Sequence, residues 1–235
     1  MALTRVWIPS PNRSSRGGSA VRLIVLHTAE GARTYQSLGS FFASSSSGVS
    51  SHVGIDDTPN TVGEYVKRPD KAWTQANYNP MAVAAELCAF AAWDSAEWSR
   101  HPNMLATTAA WIQEEAAAFN IPIVRLTPNQ AQGGGRGVCQ HVDLGAGGGG
   151  HTDCGKAFPM DQVLDMAMGW TPSPTPEQEE ETLMVMIMAP TGAIAMFDGA
   201  KKVPVASTND VRAFQSAGIK QVSVSQAQWD AIPNP

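Results

Sequence analysis

Side chains that bind metals are concentrated in one short segment of this chain, residues 139–155. The segment holds two of the five histidines, two of the three cysteines and Asp153, arranged around a run of glycines. Another histidine, His27, ends the largely apolar segment 21–27 far upstream. A catalytic zinc needs three ligands, drawn from separate parts of a chain, and one position left open for water. The pattern therefore indicates a site for metal-assisted chemistry.

Two zinc sites are compatible with these residues. In an open, catalytic site, His141 and Asp153 join His27. In a closed, structural site, the four ligands are Cys139, His141, His151 and Cys154. Paired thiolate ligands usually occur as Cys-x2-Cys, a spacing that segment 139–155 lacks, and a closed site leaves His27 without a role. The residues favour the open site, and the closed site is the alternative.

The elements that would carry these residues alternate between strands and helices. The unbroken apolar run 23–26 predicts a strand covered on both faces, with His27 at its end, where ligands bind in α/β folds. Further strands are predicted at 52–56, 61–66 and 121–126, and helices at 34–43, 103–119 and 160–168. The order predicts an α/β fold, with a central mixed sheet flanked by helices.

A segment rich in proline and glutamate, 171–182, divides the chain. Its prolines stand at alternate positions and stiffen the backbone, while four glutamates keep it solvated. We predict a catalytic domain at 1–170, a linker at 171–182 and a small α+β domain at 183–235. In the last, strands are expected at 183–188, 193–197, 201–206 and 220–224, and a helix at 210–217.

Composition excludes some partners. The net charge of −5 argues against nucleic acid, because phosphate binding requires a basic face. No apolar run is long enough to span a bilayer, so membrane insertion is not expected. The first ten residues lack the charged and apolar regions of a secretory signal. The protein is therefore expected either to act in the cytoplasm or to be released by another agent.

Six features occur in the order in which one enzyme family carries its motifs. They are 24–31 (IVLHTAEG), 51–56 (SHVGID), 72–73 (AW), 83–87 (VAAEL), His141 and 151–159 (HTDCGKAFP). Through them, residues 20–170 resemble type 2 N-acetylmuramoyl-L-alanine amidases, zinc enzymes whose fold is shared with peptidoglycan recognition proteins and many phage endolysins. The resemblance implies a Zn2+ ion held by His27, His141 and Asp153, and bacterial peptidoglycan as the substrate.

Three positions depart from the family pattern. Cys154 replaces the usual proline after the aspartate, which makes Cys154 an alternative to Asp153 as the third ligand, although position favours Asp153. Ser51 replaces a tyrosine that some members carry, so no phenol acts there. Thr74 replaces a histidine that often follows the motif tryptophan, which removes a substrate contact.

Two further residues are predicted to be catalytic. Glu86 is the only charged residue in the apolar stretch 81–92, and burial would raise its pKa towards that of a useful general base. The alternative is a water-facing residue on an edge strand. His151, two residues before Asp153, would donate to the oxyanion, as the lysine or histidine of the family does at this position. The alternative is an ordinary loop histidine.

Three residues of the motifs are expected to bind substrate: His52, Trp73 and Asn79. His52 could equally be a core histidine, and a tryptophan such as Trp73 is often a packing residue. The expected function is cleavage of peptidoglycan between glycan and stem peptide by a phage lysin. Such an enzyme stays in the host cytoplasm until lysis and then reaches the cell wall, where residues 183–235 would bind a wall polymer. The alternatives are a module that binds peptidoglycan without cutting it and a virion-associated protein that penetrates the wall.

Overall fold

A computed structural model describes residues 3–169, 185–197, 202–205, 211, 221–223 and 225–232. Contacts between residues divide the chain into two compact units, Met1–Thr171 and Pro172–Pro235. The predicted linker at 171–182 lies outside the described residues.

The described residues of the first unit form eight strands. They are β1 (Thr4–Trp7), β2 (Arg13–Ser15), β3 (Leu23–Thr28), β4 (Val53–Ile55), β5 (Thr61–Glu64), β6 (Asp70–Ala72), β7 (Ala82–Leu87) and β8 (Gly137–Gln140). Six of them form one sheet in the order β1-β5-β4-β7-β3-β8, while β2 and β6 pair separately. Within the large sheet, β4 and β5 are antiparallel and every other neighbouring pair is parallel. The predicted central mixed sheet is confirmed.

Helices cover both faces of this sheet. They are α1 (Tyr35–Phe42), α2 (Ser95–Ser99), α3 (Pro102–Phe119), α4 (Pro128–Gln132) and α5 (Met160–Ala167), with 3-10 helices at Ser45–Ser47, Ala76–Met81 and His141–Gly148. On one face, Ile24 and Leu26 pack with residues of α3 and α5. On the other, Leu23 and Val25 pack with α4 and the 3-10 helix His141–Gly148. Strand β3 is thus buried on both faces, as its apolar run predicts.

The strand predicted at 121–126 is wrong. This segment pairs with β8 through one isolated parallel bridge, Arg125 to Val138. Pro122 has no backbone N–H to donate, and the side chain of Val124 is exposed. The apolar residues of this segment therefore do not form a buried strand.

The second unit has a small sheet of its own. Its strands are β9 (Val185–Met188), β10 (Ile194–Phe197), β11 (Lys202–Pro204) and β12 (Gln221–Ser223), in the order β11-β10-β9-β12, and α6 (Gln226–Ala231) follows. Among these described strands, β12 and β9 are parallel and the other pairs are antiparallel. Of the predicted helix at 210–217, Val211 alone is described. Neither unit shows, among its described residues, a helix long and apolar enough to cross a membrane.

Candidate metal centre and active site

The order of three parallel strands brings the polar residues together. Strand β3 carries His27 near its carboxyl end and lies between β7 and β8. Glu86 of β7 stands directly opposite His27 in the register of these two strands. His141 follows the last residue of β8, and the chain then returns with Asp153 through a 3-10 helix. Parallel strands end at the same edge of a sheet, so the topology itself builds the site there.

His27, His141 and Asp153 form a compact, buried group. One ligand atom from each lies within 4.8 Å of the other two, and no other such group of three exists among the described residues. The Nδ1 atom of His27 is 3.3 Å from Asp153 Oδ2, and that of His141 is 3.1 Å from Asp153 Oδ1. Two imidazoles and one carboxylate are a donor set that can bind a metal and that occurs in open catalytic zinc sites.

Backbone contacts prepare two of these groups for a metal. The Nε2 atom of His141 lies 2.8 Å from the carbonyl oxygen of Gly148. A carbonyl only accepts hydrogen bonds, so Nε2 must carry a proton, and Nδ1, which faces Asp153, is the nitrogen that would bind a metal. Asp153 Oδ2 in turn accepts from the backbone N–H of Thr28 at 3.3 Å. Such outer contacts orient ligands and fix their tautomers.

The protonation states of the group also suit a cation. Burial lowers the pKa of His27, which favours its neutral form. Burial acts in the opposite sense on Asp153, but hydrogen bonds with His141 and His27 hold the pKa of this carboxyl well below its usual range. Burial also opposes charging of His141, yet the hydrogen bond to Asp153 raises its pKa overall. A metal ion would therefore compete with a proton at His141.

Glu86 lies on the inner strand β7, between β4 and β3, and not on the edge of the sheet. Its side chain is 13% exposed, and Oε1 lies 3.9 Å from Nδ1 of His27. Burial, together with the carboxylates of Asp153 and Glu30, raises the pKa of Glu86 to about 8. The interpretation of Glu86 as a water-facing edge residue is wrong. A carboxyl group that titrates near neutral pH is suited to receive and release protons.

His151 lies at the mouth of the same site. Its ring stacks on that of His141, with the centroids 4.6 Å apart and the planes 18° from parallel. The residue is exposed to solvent. The stack holds a third imidazole, that of His151, beside the metal-binding group, and His151 is not part of that group.

A cavity of about 920 Å³ opens over these residues. The metal-binding group, Glu86 and His151 line one part of it. Another part is an apolar wall made of Leu38, Phe41, Phe42, Val49 and Trp73. Arg33 lines it as well. Cavities of this size that combine apolar walls with a few convergent polar groups are typical of ligand sites.

Of the three residues expected to bind substrate, only Trp73 lines this cavity. Its indole Nε1 donates to Ser14 Oγ at 3.0 Å, which fixes the ring. Asn79 lies behind the loop that carries Trp73, where its side-chain oxygen accepts from the backbone N–H groups of Thr74 and Gln75 at 3.0 and 2.7 Å. Asn79 therefore shapes the loop and does not face the cavity.

His52 is a buried core residue and does not line the cavity. Its Nδ1 accepts from the backbone N–H of Ala84 at 3.1 Å, and Nε2 lies 3.2 Å from the carbonyl oxygen of Asp70. The guanidinium of Arg16 is 2.8 Å from Nε2. Burial, and then the charge of Arg16, lower the pKa of His52 to about 3, so the ring is neutral at physiological pH.

The closed zinc site is not formed. Cys139 packs with Leu23 and Val25 in one part of the core, whereas Cys154 belongs to the core on the other face of the sheet. Burial raises the pKa of both thiols well above the ordinary value, so both remain protonated. Neither cysteine belongs to the metal-binding group.

Three residues near the site were assigned no role from the sequence. The side chain of Gln75 is fully buried and interacts with His27, whose Nε2 atom has no hydrogen-bond partner among the described residues. Glu30, at a positive φ of 54°, accepts from Thr28 Oγ1 and from the backbone N–H of Ala91 at 2.5 and 2.8 Å. Arg33 follows on the same loop. Only the folded loops bring these residues to the site.

Similarity to known proteins agrees with this geometry. The family model described as N-acetylmuramoyl-L-alanine amidase matches residues 17–156. No curated protein matches the chain. Solved structures similar to it include the hydrolase AmiA of Staphylococcus aureus in complex with its ligand, at 16% identity and a TM-score of 0.55, over 74% of this chain and 88% of that one.

Two further solved structures share the fold. The N-acetylmuramoyl-L-alanine amidase LysC from Clostridium intestinale URNW is 15% identical, with a TM-score of 0.50 over 73% of this chain and 99% of that one. A mutant endolysin from Bacillus subtilis is also 15% identical, with a TM-score of 0.50 over 72% and 99%. The family match covers more than half of the chain, which therefore belongs to the N-acetylmuramoyl-L-alanine amidases, enzymes that hydrolyse an amide bond of peptidoglycan.

Proposed function

We propose that this amidase depends on zinc and cleaves the amide between N-acetylmuramic acid and L-alanine in bacterial peptidoglycan, with His27, His141 and Asp153 as the zinc ligands. The observation that carries the proposal is the convergence of three ligand atoms within 4.8 Å at the base of the cavity. Three protein ligands would leave a zinc ion one position for water or substrate, as catalysis requires. A module that only bound peptidoglycan would not need these three metal ligands, yet all three are present.

Glu86 acts as the general base in this proposal. When bound, zinc supplies a Lewis acid that polarises the scissile carbonyl and acidifies a water molecule. Glu86, next to His27 and with its pKa raised to about 8, would take up the proton of the attacking water and deliver it to the departing amine of L-alanine. The other two carboxylates that line the cavity are engaged elsewhere: Glu30 accepts hydrogen bonds from Thr28 and Ala91, and Asp153 faces the two histidines.

His151 and Trp73 position the substrate around the bond that breaks. The ring of His151 stacks on that of His141 and faces the cavity, so it donates a hydrogen bond to the carbonyl oxygen as negative charge develops there. The exposed face of Trp73 packs against the apolar side of the substrate, and its indole stays fixed by Ser14. His52 and Asn79 support the fold in this scheme and do not contact the substrate.

We further propose that the enzyme acts as a phage lysin, which accumulates in the host cytoplasm and meets the wall at lysis. The domains are those expected from the sequence: catalytic at 1–170, linker at 171–182 and a small wall-polymer-binding domain at 183–235. The division of the chain into two compact units at residues 171 and 172, where the Pro/Glu-rich segment begins, supports a domain boundary there. Fractionation tests the role, because a lysin is found in the lysate whereas a virion-associated protein copurifies with particles.

Digestion of purified peptidoglycan tests the activity. The full chain is incubated with peptidoglycan as purified, with a chelator, and with chelator followed by zinc, and the products are examined by mass spectrometry. Stem peptides with a free L-alanine amine, lost with the chelator and restored by zinc, are expected. Tight binding to the wall with intact muropeptides would favour the recognition module. New reducing sugar ends or cut cross-bridges would show that a different bond is cleaved.

A further inference from the structure

Arg33 is the one lysine or arginine side chain among the described residues that line the active-site cavity. It lies on the loop between β3 and α1, on the cavity side. Its guanidinium carbon sits 4.6 Å from the ring centroid of Phe90. A cation over an aromatic face at this distance is attracted by the ring. The charge therefore has a defined place beside the cavity.

The loop that carries Arg33 is tied to the end of strand β7. The backbone N–H of Ala29 donates to the carbonyl of Leu87 at 2.8 Å, and that of Glu30 to the carbonyl of Ala89 at 3.2 Å. Glu30 Oε1 accepts in return from the backbone N–H of Ala91 at 2.8 Å. Because Glu86 precedes Leu87 on the same strand, these bonds fix the position of Arg33 relative to the catalytic groups.

No described carboxylate pairs with Arg33. The nearest acidic residue along the chain, Glu30, already accepts hydrogen bonds from Thr28 and Ala91. Asp153 is directed at the two histidines. The guanidinium thus keeps its positive charge and its hydrogen-bond donors available on the cavity side, and an anion is the partner that this chemistry requires.

We propose that Arg33 forms a subsite for a free carboxylate of the stem peptide and so makes the enzyme sensitive to amidation of that peptide. This inference rests on the proposed function, since that function places the peptide in the cavity. Arginine binds a carboxylate through two parallel, charge-assisted hydrogen bonds. A carboxamide at the same place offers one acceptor and no charge, so the paired geometry is lost.

The expected preference is large enough to measure. A hydrogen bond to a charged group contributes a factor of about 10 to 100 in binding or in kcat/KM, with solvent exposure favouring the lower value. Walls with free stem carboxylates are thus cleaved more efficiently than amidated walls. The discrimination resides in one side chain outside the metal-binding group.

The test uses two synthetic muramoyl peptides that differ only in whether the stem carboxyl is free or amidated. Both kcat/KM and Kd are measured for each, with the zinc-loaded full chain. The wild type is expected to favour the free acid about tenfold or more, and R33Q to bring the ratio close to one. R33K, which keeps the charge without the planar fork, is expected to lie between them. R100Q is the matched control, because Arg100 is an exposed arginine paired with Glu97 outside the cavity.

Each outcome decides the proposal. A ratio close to one in R33Q, with the wild-type ratio kept in R100Q, supports it. A wild-type enzyme without preference, an R33Q variant that keeps the preference, or equal losses on both peptides would overturn it. If neither peptide is cleaved, the proposed amidase activity on such peptides has failed, and the Kd ratio still tests the carboxylate subsite separately.

Discussion

His27 and Glu86 stand opposite each other on the parallel strands β3 and β7, and His27 Nδ1 lies 3.9 Å from Glu86 Oε1. The register of one strand pair therefore sets the distance between a metal ligand of the proposed site and its general base. A one-residue slip in this register would turn one of the two side chains to the opposite face of the sheet. The long, fully buried run of β3 opposes such a slip. The packing of β3 thus helps to maintain the distance between His27 and Glu86.

Glu86→Gln tests the general base. The amide has the same shape but cannot take up a proton, so kcat is expected to fall by about 10² to 10⁴ while the bound zinc stays at one ion per chain. Steady-state kinetics and elemental analysis of the same preparation measure both quantities. Glu97→Gln, on the surface helix α2, is the matched control and should leave kcat unchanged. Normal kcat in Glu86→Gln would assign the proton transfer to another group.

Asp153→Ala and Cys154→Ala distinguish the two possible third ligands. Asp153 contacts both histidines, whereas the thiol of Cys154 is buried in the core and stays protonated. Loss of Asp153 is expected to lower the affinity for zinc by more than about 100-fold, since even outer-contact changes cost 10- to 100-fold. Cys154→Ala should keep most of the metal and the activity. Release of zinc by Cys154→Ala, measured by competition with a chromogenic chelator, would make the assignment wrong.

The metal-binding group could be predicted from the sequence because its residues are marked locally. His27 ends a short, unbroken apolar run of the kind that forms a buried strand, and His141 and Asp153 lie in the short segment 139–155, where metal-binding side chains are concentrated. Strand β8, which places His141, was not predicted. It has four residues, and only Val138 and Cys139 are apolar, so its burial comes from α4 and the 3-10 helix packed over it. A short strand buried by distant elements leaves little periodic signal.

The roles of His52 and Asn79 show a different limit. Both lie in or near segments that resemble family motifs, which favoured substrate contacts. In the structure, His52 contacts Arg16, 36 residues away, and the backbone of Ala84 in β7 and of Asp70 in β6. The side-chain oxygen of Asn79 accepts hydrogen bonds from the backbone of the turn that it closes. Whether a polar residue faces a cavity or a neighbouring loop depends on tertiary contacts, and a single sequence does not encode those contacts locally.

Gly155, just after the proposed metal ligand Asp153, has no room for a side chain. Its φ is +91°, and a Cβ atom there would collide with the carbonyl oxygen of Ala91. Gly155→Ala is expected to reduce the free energy of unfolding by at least about 3 kcal/mol, through backbone strain and the collision together. Gly150 also has a positive φ, of +75°, but open space around it. Gly150→Ala should therefore cost only about 1–2 kcal/mol, for strain alone.

Urea unfolding of the two variants, monitored by tryptophan fluorescence, measures this difference. Both substitutions add one methyl group at a left-handed position, so their comparison isolates the contact with Ala91. Equal losses in the two variants would show that residue 155 can move away from Ala91, contrary to the expectation.

His52 is expected to lower the free energy of unfolding as the pH falls. Its pKa is about 3 in the folded protein, below the ordinary value of 6.5, because burial and the adjacent Arg16 disfavour the charged ring. Between pH 6.5 and 3 the unfolded chain binds a proton at this residue and the folded chain does not. The contribution of His52 to the free energy of unfolding is therefore complete above pH 6.5 and is lost on acidification, by up to about 1.4 kcal/mol per pH unit.

His52→Asn removes the titrating group and should make the pH profile of the unfolding free energy shallower by that amount. Urea unfolding of the zinc-free protein and of His52→Asn from pH 7 to pH 4 provides the comparison, with the contributions of His27, His141 and Asp153 common to both. Parallel profiles would mean that the ring becomes protonated without cost, and that Arg16 moves away from it in acid.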